Sequence, residues 1–244
     1  MFSGGNHQTG PVSAPRTARE RVHREVTAEI LTVARGHLAR DGAPALSLRS
    51  IARDLGMAPS ALYRYFSSRD ALLGSLILAA YESLADEAER AAAAARATGG
   101  SGAERWVVVP RTMRTWALAH PHEWSLIFGT PVPGYQAPED TVVPYARLAA
   151  ALVRPLMDAR PAARPHREDS PPEVAALGQA VAPVADALLA GLPTATIVSA
   201  LQAWSTLVGL ISLELYGHWR NTVLDPELFF EETIGTMAVT LGLL

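Results

Sequence analysis

The sequence predicts an all-α protein in which an N-terminal three-helix unit with a helix-turn-helix precedes a larger helical region. Apolar residues recur at three- and four-residue spacing along most of the 244 residues. No useful length of chain alternates apolar and polar residues as a strand would, and Gly- and Pro-rich stretches separate the helical segments. We therefore predict a disordered tail over residues 1–15, a helix-turn-helix domain over 16–75 and a second helical domain over 76–244.

The first predicted helix follows a tail rich in Gly, Ser and Pro, a composition that favours disorder. This helix extends to about Arg40, and Gly42 ends it. Its predicted buried stripe consists of Val22, Val26, Ile30, Val33 and Leu38.

Residues 47–66 predict two short helices joined by a tight turn. Ser47 is a candidate N-cap for the first helix. Gly56 can adopt the left-handed conformation that ends this helix, and Pro59 suits the first position of the next. The inward-facing residues are predicted to be Leu48, Ile51, Ala52, Leu55, Leu62 and Phe66.

A fourth helix is predicted to begin after Ser67, with Asp70 three residues on as in a capping box. Arg69 lies in its first turn, where a basic side chain and free backbone amides could hold a phosphate. An Ala-rich stretch carries the helix to the Gly-rich segment at 98–102. Further helices are predicted at about 104–119, 121–128, 141–157, 173–190, 194–216 and 226–243, with Pro-rich loops at 129–140 and 158–172.

This arrangement resembles the TetR family of transcriptional regulators. The residues that carry the resemblance are Ile51-Ala52, Leu55-Gly56, Leu62-Tyr63-x-Tyr65-Phe66 and Arg69-x-x-Leu72-Leu73. The match covers about residues 20–75. One departure is Arg69, where the family more often has lysine, and this change keeps the positive charge.

A helix-turn-helix of this kind implies a double-stranded DNA operator as partner, with the second short helix in the major groove. We expect Ser60, Ala61, Tyr63 and Arg64 to face bases or the adjacent backbone. The hydroxyl groups of Tyr63 and Tyr65 would donate to phosphates. At the starts of the helices, Ser47, Arg49 and Arg69 would hold further phosphates. The predicted DNA-binding residues are Ser47, Arg49, Ser60, Ala61, Tyr63, Arg64, Tyr65 and Arg69.

The charge distribution agrees with a single nucleic-acid face. The net charge is −3, but residues 1–80 hold ten arginines against six acidic residues, a net of +4. Residues 81–244 hold eleven arginines against eighteen acidic residues, a net of −7. Every basic residue is arginine, whose planar group suits phosphate and guanine contacts.

Several other classes of protein are not indicated. There is no cysteine, so no disulfide or thiol chemistry is expected. The first twenty residues lack the apolar core of a signal peptide, and the apolar stretch at 203–213 is too short for a membrane span. We expect a cytoplasmic protein with no membrane contact, no cofactor, no catalytic residues and no metal site, since His120 and His122 beside Glu123 lack metal-ligand spacing.

The last two predicted helices indicate assembly, because each is apolar on more than one side and both sides must be buried. Small residues on the first of them, such as Ala200, Ala203 and Gly209, would allow close helix approach. The family resemblance implies a homodimer through these two helices. A monomer with a thick core is the alternative.

The segment from His120 to Pro131, together with residues 209–215, resembles the regulatory domain of a TetR subgroup called WHG-type. This resemblance implies a small-molecule effector, and we expect an apolar or aromatic one. The same side chains could instead be plain core. The predicted pocket residues are Trp106, Met113, Trp116, Trp124, Phe128, Tyr145 and Trp204.

Two other functions remain open at this point. An all-α small-molecule-binding or catalytic protein predicts that Arg49, Arg53 and Arg64 are tied up in internal ion pairs. A nonspecific architectural DNA binder predicts similar affinity for any duplex at low salt. The main prediction is a sequence-specific regulator, a repressor by family default, released from a palindromic operator by its effector.

Overall fold

The computed structural model describes residues 18–129, 139–159 and 172–243, and every regular element in these ranges is helical, as predicted. The predicted tail at 1–15 and most of the two predicted loops lie outside these ranges. The α-helices are α1 Ala18–Asp41, α2 Leu48–Asp54, α3 Pro59–Leu62, α4 Arg69–Ala97, α5 Gly102–Ala119, α6 Pro121–Phe128, α7 Val142–Ala159, α8 Pro172–Leu188, α9 Thr194–Leu215 and α10 Pro226–Thr240.

The turn between α2 and α3 forms as the sequence predicts. Gly56 has a φ of 65°, in the left-handed region that glycine adopts without strain. The Gly56 amide donates to the Arg53 carbonyl, and the Met57 amide donates to the Ala52 carbonyl at 2.8 Å. These two bonds make a Schellman motif, which satisfies carbonyl groups at the end of α2. Pro59 is then the first residue of α3.

Two local predictions are wrong. The N-cap of α4 is Ser68 and not Ser67: its hydroxyl accepts from the Ala71 amide at 3.0 Å, and its carbonyl accepts from Leu72. The Ser-x-x-Asp pattern fitted Ser67, but the first backbone bond of the helix defines the cap. In addition, the second of the two short helices predicted over residues 47–66 is expected to continue through Tyr63 to Tyr65, but α3 gives way to a hydrogen-bonded turn after Leu62.

The chain divides into two compact units, the N-terminal unit up to Leu72 and the C-terminal unit from Leu73 onward. The core of the N-terminal unit joins α1, α2 and α3. Val22, which the periodicity placed in the buried stripe, is 51% exposed, so the buried face of α1 begins further along the helix. The fully buried apolar residues here are Ile30, Ala34, Ile51, Ala52, Leu62 and Leu72.

In the C-terminal unit, α5 contacts α6, α7, α9 and α10, and it carries the buried Trp106, Met113 and Trp116. By length and composition alone α9 could cross a bilayer, with a mean hydropathy of 1.5 over its most apolar stretch. However, α9 packs against α5, α6, α8 and α10, and Leu207 and Ile211 are buried there. A core helix has the same composition, so this feature alone does not indicate a membrane span.

Candidate nucleic-acid interface and aromatic site

The outer face of the helix-turn-helix carries the residues predicted to contact DNA. Arg49, Ser60, Tyr63 and Arg64 are exposed, and Tyr63 retains 45% of its accessible surface. Ser47, Ala61, Tyr65 and Arg69 are half-buried. Ser47 does occupy the N-cap of α2, but its side chain makes no capping hydrogen bond.

The burial of two apolar residues determines which side chains face outward. Leu62 is fully buried and Phe66 is 5% exposed, so the chain is anchored on both sides of the Tyr63–Tyr65 turn. Backbone bonds from Arg64 to Ala61 and from Tyr65 to Leu62 fix the turn between these anchors. The intervening side chains are consequently presented on the surface by a backbone that is already hydrogen-bonded.

Among the described residues, Arg49 and Arg64 make no ion pair or side-chain hydrogen bond. Arg53 lies 3.7 Å from its neighbour Asp54, and its side chain is 80% exposed. The alternative function, an all-α small-molecule-binding or catalytic protein, predicts that Arg49, Arg53 and Arg64 are all held in internal ion pairs. The described residues do not show that arrangement, which leaves these charges available to a partner.

Arg69 is placed differently from the other arginines of this unit. Its Nη2 donates to the Ala43 carbonyl at 2.7 Å, and its Nη1 lies 3.4 Å from Asp70 Oδ1. The side chain is 33% exposed. Arg69 therefore ties the start of α4 to the 3₁₀ turn at Ala43–Ala45, while a guanidinium with five N–H groups still has donors for a phosphate.

Sequence reasoning missed two histidines of α1. His37 is buried, and its Nε2 lies 2.8 Å from Asp54 Oδ2, which fixes α2 against α1. The His23 ring stacks on Tyr65, with centroids 4.8 Å apart and planes 16° apart. His37 lies three residues after Ala34 and next to Leu38, on the buried side of α1. A polar residue at such a position indicates a buried partner, so the sequence could have indicated the His37–Asp54 pair.

Of the seven residues predicted to line an effector pocket, four lie deep in the core. Trp106, Met113, Trp116 and Trp124 are at most 1% exposed. The Trp116 indole donates to Ser83 Oγ at 3.1 Å, and the Trp124 indole donates to Ser212 Oγ at 3.0 Å. Buried indole groups that are satisfied in this way fill space between helices, which was the alternative interpretation for them.

The remaining three predicted residues gather with Tyr81, which sequence reasoning missed. Tyr81 of α4, Phe128 of α6, Trp204 of α9 and Tyr145 of α7 form a closed circuit of ring contacts, which we call the aromatic box. Tyr81 lies four residues after Ile77 and three before Leu84, both buried, so helical spacing predicts that it is partly buried but not that it meets these rings. Trp124 packs on Phe128 with centroids 4.5 Å apart.

The two tyrosines of the aromatic box are uncharged at neutral pH. Burial raises the pKa of Tyr81, and the nearby Tyr145 raises it further. Burial also raises the pKa of Tyr145. The Tyr81 hydroxyl donates to the Ile127 carbonyl at 3.2 Å, which holds this ring in place.

Arginines of the C-terminal unit form ion pairs that join its helices. Arg114 of α5 and Glu214 of α9 make two hydrogen bonds of 2.7 and 2.8 Å, and their side chains are 17% and 15% exposed. Arg111 binds both oxygens of Glu231 on α10. In each case the hydrogen bonds to the carboxylate raise the pKa of the arginine.

The structure brings no metal-ligand set together within the described ranges. His120 Nδ1 lies 3.0 Å from Glu123 Oε2, a contact within one helical turn. His166 of the sequence lies outside the described residues.

Exposed arginines and tyrosines on a helix-turn-helix define the class of this protein as a DNA-binding transcriptional regulator. Residues 30–76 match the family described as bacterial regulatory proteins, tetR family, and residues 106–237 match the tetracyclin repressor-like C-terminal domain. HTH-type transcriptional regulators of Mycobacterium bovis and Mycobacterium tuberculosis are 35% identical over 237 residues, covering 92% of this chain and 94% of theirs. The chain belongs to the TetR family, and its assignment to the WHG-type subgroup stays a prediction.

Solved structures agree with this assignment. The regulatory protein SCO4313 is 36% identical and superposes with a TM-score of 0.73, covering 91% of this chain and 98% of that one. A protein of unknown function from Rhodococcus sp. RHA1 is 23% identical with a TM-score of 0.64, covering 89% and 95% of the two chains, which shows a shared fold.

Proposed function

We propose that this chain is a cytoplasmic homodimeric repressor that binds a palindromic operator, carries out no catalysis and is released from DNA by a small-molecule effector. One observation carries the DNA-binding part of the proposal: Arg49 and Arg64 are exposed without an internal partner among the described residues, close in sequence to the exposed Tyr63. Unpaired guanidinium groups on a fixed backbone are suited to phosphates and to guanine edges.

The proposed contacts follow from exposure. Arg64, with Ser60, Ala61 and Tyr63, would face bases or the adjacent backbone, and the hydroxyl groups of Tyr63 and Tyr65 would donate to phosphates. Ser47 and Arg49 would hold phosphates at the start of α2. Arg69 would hold a phosphate at the start of α4. It would use the guanidinium N–H groups that do not bind the Ala43 carbonyl or Asp70.

Selection of bound sequences from random duplex DNA tests this function. We expect an inverted repeat whose half-site centres lie about one helical turn, roughly 34–36 Å, or a multiple of it apart. Similar affinity for all duplexes at physiological salt, with no enriched sequence, would contradict the proposal and favour nonspecific binding.

The outward sides of α9 and α10 support a dimer. A shallow groove of about 310 Å³ between them is lined mostly by small side chains, including Thr206 and Thr236, together with Met237 and Leu241. A Cβ atom added at Gly209 or Gly235 would meet nothing within 4 Å. Val239 is apolar and 55% exposed, and it lies on α10 between Thr236 and Thr240, which line this groove. Small side chains of this kind allow two helices of a second subunit to approach closely.

Gly209 offers a direct test of this interface, because a side chain there has open space within one subunit. We expect Gly209→Arg to leave a folded monomer, measured by circular dichroism and sedimentation, and to lose operator affinity because one subunit reads a single half-site. Gly209→Ala is the matched control and should remain dimeric. If the arginine variant sediments as the wild type does, α9 is not at the interface.

The effector part of the proposal rests on α4, which begins at Arg69 in the N-terminal unit and carries Tyr81 of the aromatic box. An effector at the box would favour one position of α4 and lower operator affinity. Useful release requires the ligand to prefer the released state by about 1–3 kcal/mol. Thermodynamic reciprocity requires operator DNA to weaken ligand binding by an equal factor, and a ligand affinity that is identical with and without operator would contradict the mechanism.

A further inference from the structure

The four rings of the aromatic box meet edge to face, and each of the four residues keeps some accessible surface. Its four neighbouring ring pairs have centroid distances of 5.9, 6.1, 5.6 and 6.0 Å, and interplanar angles of 85°, 67°, 87° and 88°. Three of the four pairs are therefore close to perpendicular, and the Phe128–Trp204 pair is tilted at 67°. Each is contributed by a different helix, so the four are held in place by the packing of the C-terminal unit.

The centroid distances limit how far a group inside the box would lie from each ring. The four ring centroids are the corners of a four-sided figure whose sides are all about 6 Å. The middle of such a figure lies no more than about 6 Å from each centroid, which is the range of a cation–π contact. A group at the middle of the box would thus be within reach of all four rings. Tyr145 is 38% exposed, so part of the box faces solvent, and the fully buried Trp124 packs on Phe128.

The charge of the surroundings favours a cation. No arginine belongs to the box, and both tyrosines are uncharged and contribute the negative faces of their rings. On the same two helices as Tyr81 and Tyr145, the guanidinium of Arg147 lies between Asp86 and Glu89. Two carboxylates for one guanidinium leave this cluster with a net negative charge, which would attract a positive ligand from solution toward these two helices.

We propose that the aromatic box binds a small organic cation of the quaternary ammonium class, a ligand that ring faces attract and that needs no hydrogen-bond acceptor. This inference rests on the proposed effector function and specifies the chemistry of its ligand. An uncharged aromatic ligand is the alternative that the experiment must distinguish.

Calorimetry on the full chain without DNA tests the proposal with choline and its uncharged isostere 3,3-dimethylbutan-1-ol. We expect choline to bind at least about tenfold more tightly, because only the charged ligand gains from the ring faces. Trp204→Leu and Tyr145→Leu should each remove most of this preference, whereas Tyr145→Phe, which keeps the ring, should retain it. Trp219→Leu is the control, since Trp219 pairs with Phe229 outside the box.

Equal or tighter binding of the alcohol would overturn the cation site and leave a neutral pocket. Failure of both ligands to bind at millimolar concentration, or an equal loss in Trp219→Leu, would overturn it as well. Operator binding measured separately distinguishes the two proposals. A regulator that binds DNA but shows no preference for choline loses only the cation site, whereas choline binding that leaves operator affinity unchanged contradicts only the switch.

Discussion

The arginines proposed to read or hold DNA at the helix-turn-helix and those that join helices of the C-terminal unit have opposite environments. In the N-terminal unit, Arg49 and Arg64 are exposed and make no ion pair within the described residues. In the C-terminal unit, Arg114, Arg111 and Arg147 each make two or more hydrogen bonds to carboxylates on another helix. The comparison shows that composition alone does not assign a role to an arginine. Whether the fold supplies an internal carboxylate separates a structural arginine from one that is available to a partner.

The largest expected effect comes from breaking the most buried pair. Arg114→Met leaves Glu214 charged and without its guanidinium partner in a site where only 15% of its side chain is exposed. It also removes the Arg114 contact over the Phe230 ring, 5.3 Å from the centroid. We expect the free energy of unfolding to fall by about 3 kcal/mol, measured by urea denaturation.

The double variant Arg114→Met with Glu214→Gln is the control for the buried charge. It should recover much of the lost stability, because no uncompensated carboxylate remains. A double variant as unstable as Arg114→Met alone would mean that packing of the arginine stem, and not the charge pair, stabilises this site.

The second effect is on recognition. Arg64→Ala removes a guanidinium that is expected to contact a base edge, so discrimination at one operator position should fall by about 1–3 kcal/mol. The thermal midpoint should stay unchanged, because Arg64 has no internal partner among the described residues. Arg96→Ala, an exposed arginine of the C-terminal unit, is the matched control and should alter neither quantity. An unchanged sequence preference in Arg64→Ala would remove this residue from the proposed base contacts.

The third effect separates anchoring from reading. Arg69→Ala should weaken all duplexes about equally and reduce the slope of log affinity against log salt by about 1, as loss of one phosphate contact requires. Arg69→Lys keeps the charge but cannot reproduce both the Ala43 bond and a phosphate contact with the same geometry. If Arg69→Ala lowers stability and leaves the salt slope unchanged, Arg69 serves the fold alone.

Local sequence signals predict most of the fold. Gly56, Pro59 and the apolar spacing of Leu48 and Ile51 act within a few residues, so the amino-acid sequence alone is enough to place the helix-turn-helix. The predicted cap of α4 falls one residue early because Ser67 and Ser68 are adjacent and both suit an N-cap. The outward position of Tyr63 and Arg64 also follows from periodicity, through the buried Leu62 and Phe66.

The aromatic site and the ion pairs could not be predicted in the same way. Arg114 and Glu214 are 100 residues apart, and their meeting depends on how α5 packs against α9. Tyr81 looks like one more core residue of α4 until α6, α7 and α9 bring three other rings to it. Helical spacing gives the buried face of a helix, but it does not give the neighbour on that face, so pocket and core residues could not be separated.

The smallest expected effect uses the second pair of α5, which repeats the Arg114 geometry under weaker burial. Arg111 binds Glu231 through two nitrogen atoms at 2.7–3.0 Å, but its side chain is 53% exposed. Because water and salt screen an exposed pair, Arg111→Met should cost less than about 1 kcal/mol, and the cost should shrink further in about 1 M salt. The Arg114→Met loss should depend much less on salt. Since both arginines lie on one helix and both pairs are bidentate, the difference between the two variants measures what burial adds. Equal losses in both, with equal salt dependence, would show that hydrogen-bond geometry and not burial sets the strength of these pairs.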